Sequence, residues 1–119
     1  MTKRILAVDD HELNLEIVKA YLKDDYELLT AKSGEEALEV IKDFKPDAVL
    51  LDIMMPGLDG YEVCRLLKAD EDLCSSVVII LTAKAMPDER QKGIDAGADA
   101  YLTKPFRKDE LRDSISALI

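Results

Sequence analysis

Residues 48–56, Ala48-Val49-Leu50-Leu51-Asp52-Ile53-Met54-Met55-Pro56, decide the architecture of this chain. The first four are apolar without alternation, which reads as a strand buried on both faces, since a strand with one wet face would alternate. The run ends on a carboxylate, and Ile53, Met54, Met55 and Pro56 intervene before any helix can start. Asp52 is therefore badly placed to serve as a helix cap. Similar continuous runs occur at residues 5–8 and 77–81, and weaker ones at 26–31 and 100–103 suit the edges of a sheet.

Helical patterns separate these runs. Residues 12–23 present Ile17, Val18, Tyr21 and Leu22 on one side. Ser33 is a good N-cap with Glu36 three positions on, a capping box, and Ala37, Leu38 and Ile41 then form the buried stripe until Pro46. A helix over about 59–69 offers Val63, Cys64 and Leu67, and the last, from about Lys108, spaces Leu111, Ile115 and Leu118 helically. The stretch 87–96 has a poor apolar stripe and contains Gly93, so it should be the least securely packed helix. Five strands alternating with five helices predict an α/β fold, a doubly wound parallel sheet with helices on both faces. Strand order is not visible in the sequence. For 119 residues forming one domain, 1–119, the flavodoxin-like order 2-1-3-4-5 leads.

Composition excludes several classes. The formal charge of −9 disfavours direct nucleic-acid binding, which rests on lysine and arginine neutralising phosphates. No apolar run approaches the roughly 20 residues of a membrane span, and no membrane partner is expected. Met-Thr-Lys-Arg followed by a short apolar run and then acids does not make a signal peptide, so a cytoplasmic location is expected. Cys64 and Cys74 lie ten apart, with no CxxC and no histidine spacing for zinc, and read as free thiols. His11, the only histidine, reads as a surface residue beside the loop after the first strand.

In folds of this kind ligands gather at the carboxyl ends of the strands. Those ends are Asp9 and Asp10 after the first strand, Asp52 after the third, Thr82 after the fourth and Lys104 after the fifth. Singly, each has an ordinary reading: a cap, a strand-end hydroxyl, a solvated charge. Together they place three carboxylates around one edge, unfavourable unless something positive sits among them. Hard oxygen ligands suit magnesium, and Lys104 adds a fixed cation. The combination fits a phosphoryl dianion held beside a carboxylate.

At this point the chain resembles the receiver domain of two-component response regulators. The resemblance rests on Asp9-Asp10, on residues 51–60 (Leu-Asp-Ile-Met-Met-Pro-Gly-Leu-Asp-Gly), on Leu81-Thr82-Ala83, and on residues 97–106 (Gly-Ala-Asp-Ala-Tyr-Leu-Thr-Lys-Pro-Phe). It implies Asp52 as phosphoacceptor, fed by phosphohistidine on a sensor histidine kinase or histidine phosphotransfer protein, with a protein effector downstream. Asp10, Asp52 and the backbone carbonyl of Met54 would ligate Mg2+, with Mn2+ able to substitute, and Asp9 would act through a metal-bound water. Lys104 would pair with the phosphoryl group, aimed by a cis peptide to Pro105. Thr82 and Tyr101 match the family's switch pair, which remodels the face built by the fourth helix, fifth strand and fifth helix. Met54 and Lys84 occupy the positions that tune dephosphorylation. No separate substrate turnover is expected.

Three rival readings fit the same residues less well. A phosphohydrolase of the haloacid-dehalogenase type would carry DxD after the first strand, where this chain has Asp9-Asp10-His11. A flavodoxin-like carrier would need a Ser/Thr-rich phosphate loop there. A module that has lost phosphorylation is at odds with intact Asp9, Asp10, Asp52, Thr82 and Lys104.

Overall fold

β3 (Ala48–Asp52) is buried along its whole length, and that places it in the middle of the sheet. Residues 2–83 and 87–119 are described by a computed structural model of the chain, and Lys84 lies outside them. The remaining elements are β1 (Arg4–Val8), α1 (Glu12–Leu22), β2 (Glu27–Ala31), α2 (Gly34–Phe44), α3 (Gly60–Ala69), β4 (Val77–Thr82), α4 (Pro87–Asp95), β5 (Ala100–Thr103) and α5 (Lys108–Ser116). The five strands are parallel, in the order β2-β1-β3-β4-β5. This is the doubly wound, flavodoxin-like arrangement expected from the alternation of elements.

Helices cover both faces, and each face has its own core. On one side Leu15, Val18 and Leu22 of α1 and Leu111 and Ile115 of α5 pack on Ile5, Ala7, Leu50 and Ile79. On the other, Ala37 and Ile41 of α2 and Val63, Cys64 and Leu67 of α3 pack on Leu6, Val49, Leu51 and Ile80. Successive strand residues alternate between the two cores, which is why the central strands are apolar between their ends.

The α1 stripe is shifted from its expected phase. Leu15 is buried, whereas Ile17 is 39% exposed. Leu15, Val18 and Leu22 recur at three and four residues and so share one face, from which Ile17 is rotated away. Leu118 lies beyond the end of α5 and is likewise exposed.

Caps also differ in detail. Ser33 accepts from the Glu36 backbone N–H, but Glu36 Oε2 takes the N–H of Lys32 instead of closing the box. The reciprocal box belongs to α3, where Asp59 accepts from Glu62 N–H and Glu62 accepts from Asp59 N–H.

α4 is held mainly by polar contacts. Its one buried position among the described residues is Gly93. The Tyr61 hydroxyl donates to the Glu89 carboxylate at 2.7 Å and lies 2.9 Å from the Glu89 carbonyl oxygen. The Arg90 guanidinium sits 5.5 Å from the Tyr101 ring centroid.

Candidate functional site

The carboxyl edge of the sheet collects the residues singled out from the sequence. Asp9 and Asp10 follow β1 directly, Asp52 and Thr82 end β3 and β4, and Lys104 follows β5. The pairings Val8↔Leu51, Asp52↔Leu81 and Thr82↔Thr103 set these ends level, so side chains distant in sequence meet.

Lys104 Nζ donates to Asp9 Oδ2 at 3.0 Å and lies 3.7 Å from Asp52 Oδ1. Asp9 and Asp52 are 5% and 6% exposed, so both contacts are shielded from bulk water. Asp9 Oδ1 also accepts the His11 backbone N–H at 2.9 Å. Asp52 Oδ1 also has a long contact, 3.5 Å, with the Met54 N–H. Asp10 Oδ1 is buried without a hydrogen-bond partner among the described residues. The Lys104–Pro105 peptide is cis.

Ligand atoms of Asp9, Asp10, His11 and Asp52 all lie within 4.8 Å of one another. Three carboxylates against one ammonium leave negative charge uncompensated. The buried Asp10 oxygen, which makes no hydrogen bond among the described residues, and the three hard carboxylate donors fit a divalent cation such as magnesium. His11 was expected only as a surface residue; its side chain is two-thirds exposed, but its Nδ1 reaches Asp10 Oδ1 at 3.1 Å. Its adjacency to Asp9-Asp10 was the available signal.

Thr82 is fully buried, and its side chain shares a hydrogen bond with Tyr101 on the neighbouring strand. Burial raises the Tyr101 pKa, and the Thr82 bond opposes that rise. Met54 is exposed beside Asp52. The cysteines are free; burial pushes the Cys64 thiol up to about 11, so it is no nucleophile at neutral pH.

Burial is the main reason the Asp52 carboxyl is held above its ordinary value of 3.8; Lys104 opposes this, while Asp9 and Asp10 add to it. A carboxyl raised on folding stabilises the fold at low pH, and that contribution is lost as pH rises through its folded value. At neutral pH the raised Asp52 carboxyl therefore works against folding. Asp52→Asn is expected to stabilise the metal-free protein by on the order of 1 kcal/mol, roughly 4 °C in Tm. The gain should shrink near pH 4, and urea denaturation of both proteins across pH checks it. A variant less stable at neutral pH would contradict this account.

Fold and site together define a class: parallel α/β proteins with an acidic pocket at the carboxyl edge of the sheet. Within that class the response regulator receiver domain profile matches residues 5–116, and the chain belongs to that family. It is 45% identical over 120 residues to the response regulator MprA of Mycolicibacterium vanbaalenii, covering 100% of this chain and 51% of the relative. MprA of Mycobacterium leprae is 46% identical over 117 residues, covering 98% and 50%. The chain thus spans about half the length of the curated relatives it matches.

Among solved structures, the Vibrio cholerae chemotaxis protein CheY4 has a TM-score of 0.95 at 28% identity, with both chains covered in full. The receiver domain of a Pseudomonas aeruginosa sensor histidine kinase, solved with a magnesium ion coordinated in its active site cleft, has a TM-score of 0.91 at 31% identity, covering 99% and 98%. The family places the chain in two-component signalling. Among the described residues no helix is long and apolar enough to cross a membrane.

Proposed function

We propose that residues 1–119 act as one cytoplasmic phosphorylation switch that accepts a phosphoryl group on Asp52. The donor is phosphohistidine on a sensor histidine kinase or a phosphotransfer protein. The observation that carries this reading is the convergence of Asp9, Asp10 and Asp52, with Lys104 set against Asp9 and Asp52 and one buried Asp10 oxygen making no hydrogen bond among the described residues.

Asp52 is the nucleophile: a carboxylate oxygen attacks phosphorus, the histidine nitrogen leaves, and an acyl phosphate results. Asp10, Asp52 and the Met54 carbonyl would hold Mg2+ (or Mn2+), with Asp9 acting through water. When bound, the cation supplies charge neutralisation between the carboxylates and the incoming phosphoryl oxygens. Lys104, already 3.7 Å from Asp52, is placed to exchange its carboxylate partners for a phosphoryl oxygen. Thr82 and Tyr101, hydrogen-bonded across β4 and β5, would report the new group to the α4-β5-α5 face, where a protein effector docks. The shallow packing of α4 supports that route, because elements that move belong to the weakly held part of a fold. The chain turns over no separate substrate on this reading.

Incubation with Mg2+ and acetyl phosphate tests the assignment. Intact-protein mass should show one base-labile phosphoryl group, absent in Asp52→Asn and in metal-free buffer; labelling that persists in either control refutes it. Met54 and Lys84 tune the lifetime of the phosphorylated state. Met54→Ala is expected to change the decay rate several-fold, and equal decay curves would count against that role.

A further inference from the structure

We propose that His11 gives the acidic site a nitrogen ligand, so that it selects borderline first-row transition-metal cations such as Co2+ and Zn2+ over magnesium. This rests on the reading of Asp9, Asp10 and Asp52 as a cation site. His11 Nδ1 lies 3.1 Å from Asp10 Oδ1 and 3.4 Å from Asp9 Oδ1. Adjacent ligands of an ion with bonds of about 2.1 Å stand roughly 3 Å apart in an octahedral shell, so the spacing of His11 Nδ1 and Asp10 Oδ1 is that of neighbouring ligands on one ion. The Asp10 oxygen on that shared edge is the buried one with no hydrogen-bond partner.

The backbone contributes as well. His11 N–H is bonded to Asp9 Oδ1, which fixes the residue against the acidic pair. Its ring is not spent on capping α1, since His11 is the N-cap position but makes no side-chain cap hydrogen bond. The imidazole is therefore available, and its two-thirds exposure lets it turn onto an ion without disturbing the core. Imidazole adds little affinity for magnesium, which prefers oxygen and water, but much for cobalt, nickel, copper or zinc.

Calorimetric titration of the full chain with Mg2+, Co2+ and Zn2+ chlorides tests this, alongside His11→Ala and Asp10→Asn. Visible absorption of the Co2+ complex supplies a second readout that reports nitrogen ligation directly. His11→Ala is expected to lower the ratio of Co2+ to Mg2+ affinity about tenfold or more and to shift the Co2+ spectrum. Asp10→Asn should weaken all three ions. If Mg2+ binding responds to Asp10→Asn but the affinity ratio survives His11→Ala, the nitrogen ligand is refuted while the cation site stands. If Zn2+ binding depends on His11 but not on Asp10, the ion sits elsewhere and the proposal fails. If wild type binds none of the ions, the cation site and the proposal fall together.

Discussion

Gly60→Ala is expected to destabilise the fold by about 3 kcal/mol, the upper part of the usual range for overpacking. A Cβ at position 60 would stand 2.6 Å from the Asp52 carbonyl oxygen, 2.8 Å from Ile53 Cα and 2.9 Å from Ile53 Cγ2. Two of these are backbone atoms, which cannot swing aside as a side chain can. Relief requires the start of α3 and the end of β3 to part, and β3 ends on Asp52 itself. The gain in helix propensity from alanine, about 1 kcal/mol, offsets only part of this. Urea denaturation should show the lower midpoint, and phosphoryl labelling of the folded fraction should be slowed because Asp52 has moved. A midpoint at or above that of wild type would show that the loop relaxes freely.

Lys104→Met is expected to slow labelling of Asp52 by acetyl phosphate about a hundredfold, the scale for removing one charged group aimed at a transferring oxyanion. Methionine keeps the length of the side chain and removes the charge. Without the ammonium, Asp9 and Asp52 face each other uncompensated, so Mg2+ affinity should rise even as the rate falls. That opposition separates the proposed role from a structural one. A lysine that merely braced Asp9 would lower stability and metal binding together. Labelling at the wild-type rate would remove Lys104 from the chemistry.

The sheet was legible because its central strands are buried on both faces and must be apolar throughout. β1, β3 and β4 announce themselves in that way, and the polar residues at or just past their ends, Asp9, Asp52 and Thr82, stand out by contrast. Strand order was not legible, since the choice of neighbour depends on crossovers that no local pattern encodes; the alternation of elements and the chain length supplied only a leading candidate. The phase of α1 was misjudged because Ile17 is as apolar as Leu15, and only the angle at which the helix meets the sheet decides between them. At the site, chain order predicted which residues converge. It could not predict which way His11 turns, nor that one Asp10 oxygen is left without a partner.

The attachment of α4 through Tyr61, Glu89 and Arg90 has a thermodynamic corollary. Displacing a helix that buries several leucines would open a void and cost as much as the fold's whole margin of stability. Sliding this one exchanges a few polar contacts for water, roughly 1–3 kcal/mol. A single charge-assisted contact made or lost at the sheet edge is of that size. The chain thus keeps a part that can be repositioned by small local events while its two cores stay closed.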